Sequence, residues 1–138
     1  PDLRYLHLVR HGGAMVYSSN QRQFDLHSHH WSIARAGDTD SDLVQARLAF
    51  WAASNLQASH IGERYPGQYA WLQYEAFCEE PLEQMQQAFK KLGLEADWHK
   101  TDQSLLQPSG RERRQAGAIA GLDLTAVRPA LKKYGYSC

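Results

Sequence analysis

Arg10 closes an apolar run, Leu3 and Tyr5 to Val9, in which His7 is the one polar residue at the centre. Such a run reads as a short strand buried on both faces. Gly12 and Gly13 follow and allow a sharp backbone turn, and Ala14 to Ser19 can begin a helix. A strand, a cation, a glycine turn and a helix start together make an anion site. The helix start offers unpaired N–H groups and partial positive charge, Arg10 offers a bidentate fork, and Ser18, about two turns into the helix, offers a hydroxyl. The plainer alternative is a buried strand followed by a surface turn, with Arg10 merely solvated.

A second concentration lies at Pro108-Ser109-Gly110-Arg111-Glu112-Arg113-Arg114. Ser109, Gly110 and Arg111 can wrap an anionic group with hydroxyl, backbone N–H and guanidinium donors. Alone, the segment reads equally well as an exposed basic helix start. Two independent sites that want the same partner, together with the aromatic strand end at Tyr74, suggest a nucleotide. Its phosphate would meet the arginines and its base the aromatic ring; the competing reading keeps Tyr74 in the core. His27, His29 and His30 beside Trp31 have a metal-type spacing, but the polar stretch Asn20 to Gly37 reads first as a solvated loop, and second as a substrate wall.

These residues need elements to hold them. Asp38 to Asp42 is rich in capping groups and negative charge, so a helix is expected from about Ser41 to Ile61, ended by Gly62. Leu43, Ala46, Leu48 or Ala49, Phe50, Ala53 and Leu56 or Ile61 mark its apolar stripe, with Phe50 and Trp51 as core. Tyr65-Pro66-Gly67 is a turn, and Tyr69 to Glu75 a second, aromatic-rich strand. A helix should run from Pro81 to Lys91 and stop at Gly93, burying Leu82, Met85, Ala88, Phe89 and Leu92. Leu94 to Gln107 is expected to be irregular and Arg111 to Ala120 helical, with Thr125 capping a last helix over Ala126 to Tyr134. Strands alternating with helices predict an α/β chain in one domain over residues 1–138.

Fifteen basic and fifteen acidic residues cancel, so no global field favours nucleic acid or a membrane surface. No apolar run approaches the roughly 20 residues of a membrane span, and no signal peptide is visible. Cys78 and Cys138 have no metal-ligand spacing and fit a reducing compartment, which points to the cytoplasm. The start at Pro1, directly ahead of a core-like strand, is expected to be an internal point of a longer protein.

The ordered set of motifs resembles the C-terminal half of the sulfotransferases that use 3′-phosphoadenosine 5′-phosphosulfate (PAPS). In that family a strand ends in arginine and a serine follows eight positions later, as Arg10 and Ser18 do in LVRHGGAMVYS. A strand ending in Tyr-Glu, a Pro-initiated helix and a Phe-Leu-Gly-Leu-like ending follow, as in YEAFCEEPLEQMQQAFKKLGL. QPSGRER and KKYGYSC match later family segments. The resemblance implies a P-loop-like, three-layer α/β fold with a mainly parallel sheet. It also implies transfer of a sulfuryl group to a hydroxyl or amine of a small-molecule or carbohydrate acceptor, with no metal. Arg10, Ser18, Ser109, Gly110 and Arg111 would bind the 3′-phosphate of PAPS or its product PAP, and Tyr74 the adenine. The family's phosphosulfate loop and catalytic base precede the position of Arg10, so neither role falls on a residue of this chain; the missing N-terminal part would supply them. His11-Gly12 stands where the family has Asp or Asn and then Pro.

LVRHG also resembles the opening of histidine phosphatases, which would make His11 a nucleophile and Arg10 a phosphate clamp. Those enzymes need a second histidine after a later strand; none directly follows Tyr69 to Tyr74, and His99, in Trp98-His99-Lys100, does not read as a strand end. A nucleotide-binding fragment without turnover is a third class.

Overall fold

A computed structural model describes residues 2–34, 37–100 and 121–137. It divides into two compact units, one of residues 1–10 and 58–113, the other of residues 11–57 and 114–138.

The first unit is built on two strands, β1 (Tyr5–Val9) and β2 (Tyr69–Gln73), paired in parallel with Tyr5 opposite Tyr69 and Val9 opposite Gln73. The chain is therefore mixed α/β with a small parallel sheet, as the alternation of elements implies. Tyr65 to Gln68 leads into β2 through a turn in which the Gln68 N–H donates to the Tyr65 carbonyl at 3.0 Å, with Gly67 at φ 74°. Pro66 presets the first central position and only glycine takes the second without strain. After β2 the backbone goes straight into a short helix, α4 (Tyr74–Glu79), and then α5 (Pro81–Lys91). Tyr74 is thus the first residue of a helix rather than the end of a strand. α5 starts at its proline and packs beside β2 with Ala88 and Leu92 buried. Gly93, at φ 62°, ends it in a Schellman motif: the N–H of Leu94 donates to the Phe89 carbonyl and that of Gly93 to the Lys90 carbonyl.

The second unit opens with α1 (Gly12–Val16). The two glycines do not form a turn before this helix; they are its first residues. A Cβ at Gly12 would lie 2.8 Å from Trp51 and 2.9 Å from Leu48, so close packing, not backbone freedom, selects glycine there. The helix is also shorter than expected, and Ser18 lies beyond its end. The stretch read as a loop contains α2 (Arg22–His27) and a 3₁₀ turn, Ser28–Trp31. Phe24 and Trp31 both set their rings edge-on to Phe50, at 5.7 and 5.3 Å, a long-range contact that no local signal announces.

α3 (Asp40–Gly62) extends one residue beyond its expected bounds at each end, with Gly62 as its last residue. Its start is a capping box: Thr39 Oγ1 accepts from the Asp42 N–H at 3.1 Å, while Asp42 Oδ2 accepts from the Thr39 N–H and hydroxyl. Ala46, Leu48, Trp51 and Ala52 are buried; of the two alternatives for the end of the stripe, Leu56 is half-buried and Ile61 is exposed. α6 (Arg128–Lys133) starts two residues later than expected, with Pro129 in its first turn, and closes in a second Schellman motif at Gly135. Val127, Ala130, Leu131 and Tyr134 bury its inner face, and the Tyr134 hydroxyl donates to the Asn55 carbonyl at 2.7 Å.

Candidate functional site

Carrying the β1–β2 register one residue further sets Arg10 beside Tyr74. The Arg10 guanidinium carbon lies 5.3 Å from the centroid of the Tyr74 ring. A guanidinium over a tyrosine face is attracted by the ring quadrupole, by about 0.5–1 kcal/mol at a partly exposed position. Both side chains are half-buried. The two residues singled out separately in the sequence, one for a phosphate and one for a base, therefore meet at the carboxyl ends of adjacent parallel strands. In open parallel sheets that is the edge where ligands bind. A planar fork of donors beside a flat π face can take an anionic group and an aromatic ring of the same molecule.

Ser18 belongs to the second unit, where its hydroxyl accepts from the Asn20 N–H at 3.3 Å and its carbonyl accepts from Gln21 Nε2 at 2.7 Å. Arg47, from α3 of the same unit, donates through Nη1 to the Val16 carbonyl at 3.3 Å, and its buried Nε has no acceptor among the described residues. Nothing in the sequence distinguishes this cation from the other arginines. Ser109, Gly110 and Arg111, and the helix expected over Arg111 to Ala120, lie outside the described residues, as does Cys138.

His11 has a clear local task. It is the residue preceding α1, its Nδ1 accepts from the Gly13 N–H at 3.0 Å, and it is 7 % exposed. Its ring stands edge-on to Tyr136 at 4.8 Å. One helix-start N–H that was expected for an anion is thus taken by the histidine itself. In the second unit the rings of His29 and His30 lie 4.0 Å apart and those of His27 and His30 5.8 Å apart, yet among the described residues no three His, Cys, Asp or Glu side chains converge as a metal site would require.

A buried polar chain runs through the first unit. Tyr69 Oη is 2.9 Å from His7 Nδ1 and 2.8 Å from Ser59 Oγ, and Ser59 is fully buried. The lone polar residue in the middle of an apolar strand was the signal for it; its partners, distant in sequence, were not legible. Among the described residues no helix is long and apolar enough to cross a membrane. Compared with protein-family models, curated proteins and solved structures, the chain gives no match.

Proposed function

We propose that this chain is the nucleotide-binding, C-terminal part of a PAPS-dependent sulfotransferase of P-loop-like, three-layer fold. The observation that carries the reading is the meeting of Arg10 and Tyr74 at the carboxyl ends of the parallel pair. The donor set fits the cofactor: a guanidinium suits a phosphate monoester bidentately, and an uncharged tyrosine ring suits adenine. Arg10 holds the 3′-phosphate and Tyr74 the base. When bound, PAPS supplies the activated sulfuryl group for a hydroxyl or amine acceptor. This chain's part is to fix the nucleotide so that the acceptor can attack in line, the catalytic base coming from outside these residues. A reducing, cytoplasmic setting accords with the cysteine usage.

Calorimetric titration with adenosine 3′,5′-bisphosphate, against adenosine 5′-monophosphate, tests the proposal. The bisphosphate should bind more tightly, and Arg10→Ala should weaken it about 10- to 100-fold, the loss of a charge-assisted pair worth roughly 1.5–3 kcal/mol. Tyr74→Leu should weaken both nucleotides together, by about 1–3 kcal/mol of stacking. Equal affinity for the two nucleotides, or indifference to Arg10→Ala, overturns the reading. His11→Asn keeps a side-chain cap on α1 and should leave binding intact. The histidine-phosphatase alternative requires instead that phosphohistidine form at His11, and the burial and capping bond of that ring weigh against it.

A further inference from the structure

The amino ends of β1 and β2, opposite to Arg10 and Tyr74, enclose a cavity of about 310 Å³ within the first unit. Its walls come from four separate stretches: Leu3 and Tyr5 leading into β1, Ala58 and Ile61 from the last turns of α3, Tyr65 from the turn, and Tyr69 opening β2. Leu3 is 71 % exposed, Tyr65 54 %, Ile61 49 % and Tyr5 47 %, so four large apolar side chains gather at one rim in water. A clustered apolar rim around a concavity marks a binding site rather than ordinary surface.

The cavity is preformed. Tyr5 is tied to the turn by its N–H, which donates to the Gln68 carbonyl at 2.8 Å. The Tyr69 ring is held at its hydroxyl between His7 and Ser59, and at its face by Gly62, where any Cβ would overlap the ring. Tyr5 and Tyr69 sit with ring centroids 5.8 Å apart and an interplanar angle of 31°. The Tyr69 wall is therefore fixed, and that side chain needs little ordering when a ligand binds.

We infer that this cavity binds a neutral aromatic small molecule of one or two rings. Size sets the upper limit, since 310 Å³ corresponds to about ten waters at roughly 30 Å³ each. Charge sets the class. Among the described residues no Asp, Glu, Lys, Arg or His lines the cavity, so an ion entering it would lose hydration without a charged partner there. Three tyrosines favour a ring over an aliphatic chain through offset or edge-on packing. The Gln68 amide at the lining supplies one polar handle for a hydroxyl or ring nitrogen. Five residues of strand separate this cavity from Arg10, about 16 Å at 3.3 Å per residue, so its occupant does not share the Arg10–Tyr74 pair.

The test uses 2-naphthol as the probe, followed by ¹H–¹⁵N correlation spectra of the whole chain. Saturable one-to-one binding is expected, with shifts centred on residues 58–69. Tyr65→Ala should weaken it about fivefold or more, and because Tyr65 is exposed the fold should survive. Ala58→Phe, which fills the cavity, should abolish it. Arg10→Ala should leave naphthol binding unchanged while weakening bisphosphate binding about 10- to 100-fold, which separates failure of this site from failure of the nucleotide site. Non-saturable binding, or wild-type affinity in both Tyr65→Ala and Ala58→Phe, overturns the inference. So does a dimer in solution that Tyr65→Ala dissociates, which would make a second copy the occupant.

Discussion

Replacing Gly12 by alanine sets two effects of opposite sign against each other. In a helix interior alanine is favoured over glycine by about 0.8–1.0 kcal/mol, and at the first position of a five-residue helix the gain is smaller. Against it stands the new methyl group, 2.8 Å from Trp51 Cε3, 2.9 Å from Trp51 Cδ2 and 2.9 Å from Leu48 Cδ1. Carbon atoms rest at about 3.5–4.0 Å, so roughly 0.6–1.2 Å of overlap must be relieved. Neither neighbour has room to yield. Leu48 is fully buried, Trp51 is 5 % exposed, and its ring is packed against Tyr134 and Tyr136. Overpacking of this kind costs about 1–3 kcal/mol, so the clash wins and Gly12→Ala should destabilise by about 1–2 kcal/mol net. Urea titrations followed by circular dichroism should show a lower midpoint with an unchanged slope, and the melting temperature should fall by about 3–10 °C. Adding Trp51→Leu should make room for the methyl, so that Gly12→Ala costs little in that background, a coupling of about 1 kcal/mol or more. A higher melting temperature in Gly12→Ala, or strict additivity with Trp51→Leu, would refute the close-packing account.

Two further perturbations probe one unit each. Tyr69→Phe removes the hydroxyl that bridges His7 and Ser59 and should cost about 1–3 kcal/mol in a urea titration, with the loss greatest for amides of β1 and the end of α3 in hydrogen exchange. The Asp123 carboxyl is held below its ordinary range, first by the Thr125 backbone N–H and then by the Thr125 side chain. A folded pKa below the unfolded one means that stability is fully present above the unfolded value and is lost as the pH falls through the folded value. Melting temperature plotted against pH should therefore lose part of its fall below about pH 4 in Asp123→Asn, and an unchanged acid limb would contradict that role.

Local chemistry alone made much of the scaffold legible. Thr39 and Asp42 can cap only the residues that follow them, and Pro66-Gly67 admits a single tight turn. Pro81 opens α5 and Gly93 closes it; each outcome depends on backbone groups within a few residues. α2 is not legible locally because its reason is Phe24 packing on Phe50, 26 positions away, in a stretch that is otherwise polar. The role of Gly12 differs from a turn for the same cause: nothing near it in sequence reveals that Trp51 and Leu48 will press on it.

The site divides along the same line. Residue type and position nominated Arg10 and Tyr74 separately, because a cation and an aromatic ring at strand ends are visible without coordinates. That they stand together was decided only by the parallel register of Tyr5 with Tyr69, which the intervening chain must close on itself to create. The tyrosine-walled cavity at the other strand ends was wholly a product of that pairing. Sequence lists the groups a chain can offer; side chains 60 residues apart become neighbours only when burial and strand pairing fix the register.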